Sequence, residues 1–319
     1  MPLRLSFVIF LTSCFGLGHN PASHHLRAES TEETILKVTL QHQIPNTQQA
    51  NDNDEPDASY EITTTNETWK ASQTAVIICD MWDAHHCYRA VQRQAQMVPR
   101  MEMLLTHLRS KGVTMIHAPS SCVNAYADNP ARLRVASIPE SALPDGINQW
   151  CRSIPSEERV TYPLDQSDGG EDDTPEEHAT WAASLETKGL NPRSPWKKQH
   201  EGLTIDPGKD FISDRGDEIW HILKHKDLKN VILLGVHTNM CVLGRPFGLR
   251  QLSKNGVNVV LMRDLTDSMY NPKSWPHVSH LEGNALIISH IERHVCRTLT
   301  SNQFVGGKPF RFTPIGADR

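Results

Sequence analysis

The stretch Val231-Ile-Leu-Leu-Gly-Val-His-Thr-Asn-Met-Cys-Val242 decides both the fold class and where its chemistry sits. Val231 to Leu234 is a short, unbroken apolar run, the pattern of a strand buried on both faces. Gly235 interrupts it and the polar residues His237-Thr238-Asn239 form a turn. A helix is expected to follow, with Cys241 in its first turn. A thiol there meets the positive end of the helix dipole, which favours the thiolate. First-turn N–H groups lack intrahelical partners and can hold a developing oxyanion. A lone cysteine is otherwise a small apolar filler between helix and sheet. The turn chemistry, together with a second, acidic strand end, favours a nucleophile.

That second end is Asp80. Thr74-Ala-Val-Ile-Ile-Cys79 is another continuous apolar strand, and the carboxylate follows it directly. A helix is predicted from Pro99 to Lys111, where Met101, Leu104, Leu105 and Leu108 keep helical spacing between a starting Pro99 and a terminating Gly112. The strand Val113 to Ile116 leads to His117. Residues 135–200 read as irregular, with an acidic stretch from Asp165 to Glu177, the composition of a solvated loop or a lid. Alternation then resumes: a helix near Asp217 to Lys224, the strand at Val231, the Cys241 helix, a strand at Val257 to Leu261, and a helix near His280 to Arg293. This rhythm predicts an α/β fold, three layers around a doubly wound, mostly parallel sheet. In such a sheet, ligands bind outside the carboxyl ends of the strands. Asp80, His117, the Val236-His237-Thr238 turn with Cys241, and Arg263-Asp264 are therefore the residues to examine. Asp80 can take the thiol proton and return it to a leaving group. Its plain alternative is an Asp that caps a turn.

The 319 residues are 38% hydrophobic, which leaves room for polar extension around a core, and the net charge of −5 gives no basic surface for nucleic acid. Met1 to Gly18 carries one early positive charge, Arg4, and a short apolar run, Leu5 to Leu11, the shape of a signal peptide. Leu11-Thr-Ser-Cys14 resembles a lipoprotein cleavage box, which would put a lipid anchor on Cys14; simple cleavage further on and a mistranslated upstream start are the alternatives. Residues 19–71 read as a polar N-terminal extension, with two strand-like segments, Thr34 to Leu40 and Ser59 to Thr64, that can pair on an edge. The remaining six cysteines include no CxxC pair, which argues against a structural zinc site.

Asp80-Met-Trp, Cys241 within Gly-Val-His-Thr-Asn-Met-Cys-Val, and a lysine between them resemble the isochorismatase-like cysteine hydrolases, a group that includes nicotinamidases, carbamoyl-group amidohydrolases and isochorismatase. The resemblance spans 72–305 as a hydrolase domain and leaves 306–319 as a tail. It implies the corresponding α/β fold and a triad of Asp80, Lys198 (or its neighbour Lys197) and Cys241. It also implies a cis peptide between Val236 and His237, with the N–H groups of His237 and Cys241 aimed at the substrate oxygen. The implied reaction is hydrolysis of an amide or carbamoyl C–N bond through a thioester. Trp82-Asp83-Ala84-His85-His86-Cys87 departs from the family pattern after the first aspartate, so the substrate is not fixed by resemblance.

Trp82, His117, Thr238 and Asp264 are the pocket candidates. Adjacent His85 and His86 point in different directions on any regular element, so a shared metal ion is disfavoured. Gly169-Gly170 lacks the strand–loop–helix context of a phosphate cradle. We expect no cofactor and no metal, a small-molecule substrate, no nucleic-acid partner, no membrane span and a homo-oligomer. The alternatives are a non-catalytic binding protein of the same fold and a metal-assisted hydrolase using the His85/His86 region. An exported, periplasmic or cell-envelope location is expected from the N-terminal signal. Protein purified from its native cell should therefore begin well after Met1, and N-terminal sequencing that recovers intact Met1 from the cytosolic fraction would refute export.

Overall fold

The computed structural model describes residues 33–46 and 59–315. The expectations for the signal peptide and Cys14, and for residues 19–32 and 47–58 of the extension, lie outside the described residues. Eight strands form one sheet: β1 (Ile35–Pro45), β2 (Tyr60–Lys70), β3 (Thr74–Cys79), β4 (Thr114–Ala118), β5 (Phe211–Ile212), β6 (Asn230–Val236), β7 (Asn258–Asp267) and β8 (Thr298–Leu299). Their order is β2-β1-β8-β7-β6-β3-β4-β5. From β8 to β5 every neighbouring pair is parallel, and β1 runs antiparallel to both β2 and β8.

Period-two alternation divides the central strands between two cores. Ala75, Ile77 and Cys79 of β3 join Val231 and Leu233 of β6 and Val259 and Leu261 of β7 on one face. Val76, Ile78, Ile232, Leu234, Val260 and Met262 lie on the other. Helix α1 (Tyr88–Ser110) covers the second face with Met97, Met101, Leu104, Leu105 and Leu108. The first face is covered from three helices beyond α2 (Pro130–Ala136) and α3 (Pro175–Thr187): Ile219, Ile222 and Leu223 of α4 (Gly216–His225), Leu249 and Leu252 of α5 (Leu249–Lys254), and Ile287 and Ile291 of α6 (His280–His294). The result is the three-layer α/β architecture. No helix among the described residues is long and apolar enough to cross a membrane.

Four local readings need correction. Helix α1 starts eleven residues before Pro99, which lies inside it. Its first half was hidden because buried Arg93 and Gln94 interrupt the apolar stripe. The 135–200 segment holds α3, whose Thr174 accepts the Glu177 N–H at 3.2 Å while Glu177 returns a bond to the Thr174 N–H at 2.8 Å. Thr174-Pro-Glu-Glu177 is the sequence of such a reciprocal cap, and it was submerged in a charged stretch. The edge strands are longer than read, eleven residues each and paired from Ile35↔Lys70 to Pro45↔Tyr60. The fourth concerns Cys241, which lies in a single π-helical turn, Thr238–Val242, and not in the first turn of a long helix.

Gly235 sets the spacing between β3 and β6. Its φ is +108°, and a Cβ there would lie 2.0 Å from the carbonyl oxygen of Cys79. The β6–β7 register shifts between Leu233 and Gly235, after which Gly235 and Val236 pair with Thr266 and Asp267. Gly235→Ala should destabilise the protein by at least about 3 kcal/mol, combining a disfavoured φ with a backbone clash. A melting temperature within 2 °C of the parent would refute that account.

Candidate active site

Asp80 and Cys241 come from adjacent parallel strands, β3 and β6, whose register pairs Cys79 with Gly235. Asp80 sits at φ +48°, the left-handed conformation that Asp tolerates better than most residues, and its side chain has no solvent exposure. Its Oδ1 accepts the Ser120 N–H at 2.8 Å. Its Oδ2 accepts Arg245 Nε at 3.1 Å and Nη2 at 3.0 Å. The Cys241 thiol and this carboxylate act on each other electrostatically. Burial raises the Asp80 carboxyl above its ordinary range, and Arg245 and Ser120 pull it back.

The thiol is not the pre-formed thiolate that a helix terminus would favour. Burial and then the Asp80 carboxylate push Cys241 up, while Arg245 works in the opposite direction. A five-residue π turn supplies no macrodipole comparable to that of a long helix. The nearby positive charge comes from a side chain. Arg245 lies four residues after Cys241, and its N–H donates to the Cys241 carbonyl at 3.0 Å. That spacing places the two residues on one side of the turn.

Lys198 is not brought to the pair. Asp83 Oδ1 accepts the backbone N–H groups of Lys197 at 2.8 Å and Lys198 at 3.2 Å, and both lysine side chains are exposed. Neither side chain makes an ion pair or hydrogen bond among the described residues. The segment bridges antiparallel to Trp82 through Gln199, which is buried, so alternation turns its neighbour Lys198 outward. Arg245 was legible as Cys-x-x-x-Arg, but a lysine was sought elsewhere.

The other candidates separate. The Val236–His237 peptide is cis. Trp82 stacks on Trp196 at 4.9 Å between ring centroids, and its Nε1 donates to the Ser120 carbonyl at 3.1 Å, beside Asp80. His117 is withdrawn from any pocket: it is fully buried, with Nδ1 2.8 Å from Gln199 and Nε2 3.0 Å from Asp210. Thr238 is likewise enclosed, against Thr266 at 2.7 Å. Asp264 accepts the Ser301 hydroxyl at 2.7 Å and the Phe310 N–H at 3.0 Å, so it fastens the C-terminal segment instead of lining a site. Arg263 donates to the Thr298 hydroxyl at 2.8 Å.

His85 packs edge-on against His237 at 4.8 Å and near Trp82 and Trp196. The Cys87 N–H donates to His85 Nδ1 at 3.2 Å. Burial first, then its histidine neighbours, lower His85 well below its ordinary value, and burial takes His237 down to about 3. Both are therefore neutral imidazoles at physiological pH. Sequence reasoning also missed a buried ion network behind them. Arg93 grips Asp172 at 2.7 and 2.9 Å and Asp267 at 2.8 Å, and His280 adds a 2.9 Å bond to Asp267. Among the described residues, two groups have metal-compatible spacing, Cys87/Asp172/Asp173 and Glu171/Asp173/His178, and neither contains His85 or His86. Beside the Cys241 turn, a cavity of about 340 Å³ is lined by Trp150, Arg152, Met240 and Gly244.

Comparison with known proteins follows the same outline. The isochorismatase domain family model matches residues 74–279. Among curated protein sequences, none matches the chain. Among solved structures, a cysteine hydrolase from Pseudomonas syringae pv. phaseolicola is 17% identical, with 74% of this chain and 92% of that one covered and a TM-score of 0.44. An isochorismatase family protein from Burkholderia thailandensis is 13% identical, with coverage of 73% and 93% and a TM-score of 0.40. The nicotinamidase/pyrazinamidase PncA from Bacillus subtilis is 14% identical, with coverage of 70% and 99% and a TM-score of 0.31.

Iodoacetamide should modify Cys241, which is 8% exposed, ahead of fully buried Cys79. Because the Cys241 thiol is raised, its alkylation rate should still be climbing above the ordinary thiol value of about 8.5. A plateau below pH 8 in site-resolved mass spectrometry would contradict this.

Proposed function

This chain belongs to the isochorismatase family of hydrolases, and from that premise we propose that it hydrolyses a C–N bond of a small amide or carbamoyl compound with Cys241 as nucleophile. Asp80 is the proton carrier and Arg245 takes the place assigned by resemblance to a lysine. The observation that supports this reading best is the ion pair at 3.0 Å between the fully buried Asp80 carboxylate and Arg245, whose own N–H is bonded to the Cys241 carbonyl.

The chemistry follows from those positions. As substrate excludes the remaining water, Asp80 takes the thiol proton and the sulfur attacks the carbonyl carbon. The carbonyl electrons move to oxygen, where the N–H groups of His237 and Cys241 are the proposed donors. Protonated Asp80 passes its proton to the leaving nitrogen, the C–N bond breaks, and a thioester remains. Water then attacks the thioester carbonyl while Asp80 accepts its proton. The C–S bond breaks, the acid leaves, and the thiol is restored. Amide and water are consumed; acid and amine are released. Arg245 stabilises the negative charge wherever it resides between oxygen and sulfur, and a raised resting thiol confines the thiolate to the moment of attack.

Cys241→Ala should abolish turnover of a panel of small amides, ureides and carbamoyl compounds while leaving the melting temperature near that of the parent. The acid limb of kcat/KM should reflect ionisation of Asp80. The base must be unprotonated and burial raises its carboxyl, so activity should fall with decreasing pH above the ordinary aspartate value of about 3.9. Asp80→Asn should remove the limb along with at least a hundredfold of rate. Full activity in the Cys241→Ala variant would eliminate this mechanism.

A further inference from the structure

Arg245 is held from two directions. Its Nε and Nη2 both address Asp80 Oδ2, while its guanidinium lies over the ring of Trp150, with Cζ 4.9 Å from the centroid. Trp150 comes from the irregular segment between α2 and α3, and it is 44% exposed. Neither exposure nor core packing explains a tryptophan there. Its placement is nonetheless fixed. The ring lies on Gly244, where a Cβ would come within 2.7 Å of Trp150 Cε3. The N–H of the next residue, Cys151, donates to the Gly244 carbonyl at 2.9 Å. Trp150 is therefore fastened to the turn that carries both Cys241 and Arg245.

We propose that Trp150 is a positioning residue for the reaction: its indole holds the Arg245 guanidinium flat, so that both donors point at Asp80 and the positive charge stays beside Cys241. The proposal rests on reading Arg245 as the third member of the triad. An arginine side chain has many rotamers, and most would carry its charge to water. A planar π surface selects the few in which the fork faces inward. The arginine side chain remains 19% exposed beside a carboxylate with no exposure, and Trp150 lies against it. Gly244 is part of the device, because any side chain would lift the indole away. Trp150 and Gly244 also line the cavity beside the Cys241 turn.

The test is the pH dependence of Cys241 alkylation by iodoacetamide, read by site-resolved mass spectrometry on the full chain. It needs no substrate. Trp150→Leu should shift the profile upward by about one pH unit and slow alkylation at pH 8 about tenfold. Trp150→Phe retains a π face and should stay within about twofold of the parent. Trp150→Met supplies the same comparison if the leucine variant does not fold. Arg245→Gln is the control and should shift the profile at least as far. A leucine variant that superimposes on the parent while Arg245→Gln shifts would overturn the role of Trp150 alone. An unshifted Arg245→Gln profile would instead overturn the triad reading, and the proposal with it. A lower melting temperature in Trp150→Leu with an unmoved profile would make the tryptophan structural only.

Discussion

A carboxylate with no solvent exposure exists only where donors replace its water, and the geometry around Asp80 is the consequence of that requirement. Ser120 from the β4 end and Arg245 from beyond the β6 turn both donate to the side chain that follows β3, and the Cys241 thiol is electrostatically coupled to it. Three strand ends are thereby locked into one arrangement. Removing Arg245 would leave the charge uncompensated, a loss of about 3–5 kcal/mol for a buried pair. The same burial that makes the pair costly raises the Asp80 carboxyl, the direction that the proposed proton transfer from sulfur requires.

A second buried network runs parallel to the first without touching the thiol. Arg93 on α1 joins Asp172, from the segment before α3, to Asp267 at the end of β7, and His280 closes the set from α6. Burial disfavours the imidazolium of His280, but Asp267 outweighs it and the group is raised. Burial likewise opposes the Asp267 carboxylate, and Arg93 and His280 bring it below its ordinary value. Each charge is compensated within the cluster. Its mechanical effect is to tie the long segment between β4 and β5 to the helix and strand that border the site. That segment is thereby ordered despite its polar composition.

What could be read from the sequence depended on whether local pattern and tertiary role agreed. The strands at Thr74 and Val231 were plain because burial on both faces needs unbroken apolar residues. The left half of α1 was not, since Arg93 and Gln94 are buried for their polar partners, and a polarity pattern reads such residues as surface. Asp80 and Cys241 were legible as strand-end residues of a parallel sheet. His117 and Asp264 were read as strand ends too, but they lie inside β4 and β7 and serve other bonds, because strand ends read from sequence fall short of the true ones. Lys198, taken from resemblance, is exposed, whereas the spacing of Cys241 and Arg245 already placed a guanidinium close to the Cys241 turn, where it pairs with Asp80.

In the proposed triad, an arginine standing where resemblance implies a lysine is not a neutral exchange. An ammonium is a flexible point charge that can follow charge as it moves, and it loses its proton readily when desolvated. A guanidinium stays charged, presents its donors in a plane and needs that plane oriented. A site that recruits arginine must therefore include something to hold it. Asp80 fixes one edge of the fork, but both contacts fall on a single oxygen, Oδ2, because Ser120 occupies the other. A fork on one oxygen retains freedom to swing about it, unlike a bidentate pair across two. The remaining constraint has to come from the face of the guanidinium, and the flat surface available there is Trp150. The absence of a side chain at Gly244 and the exposure of an otherwise unexplained tryptophan are in this sense consequences of which cation stands beside Asp80.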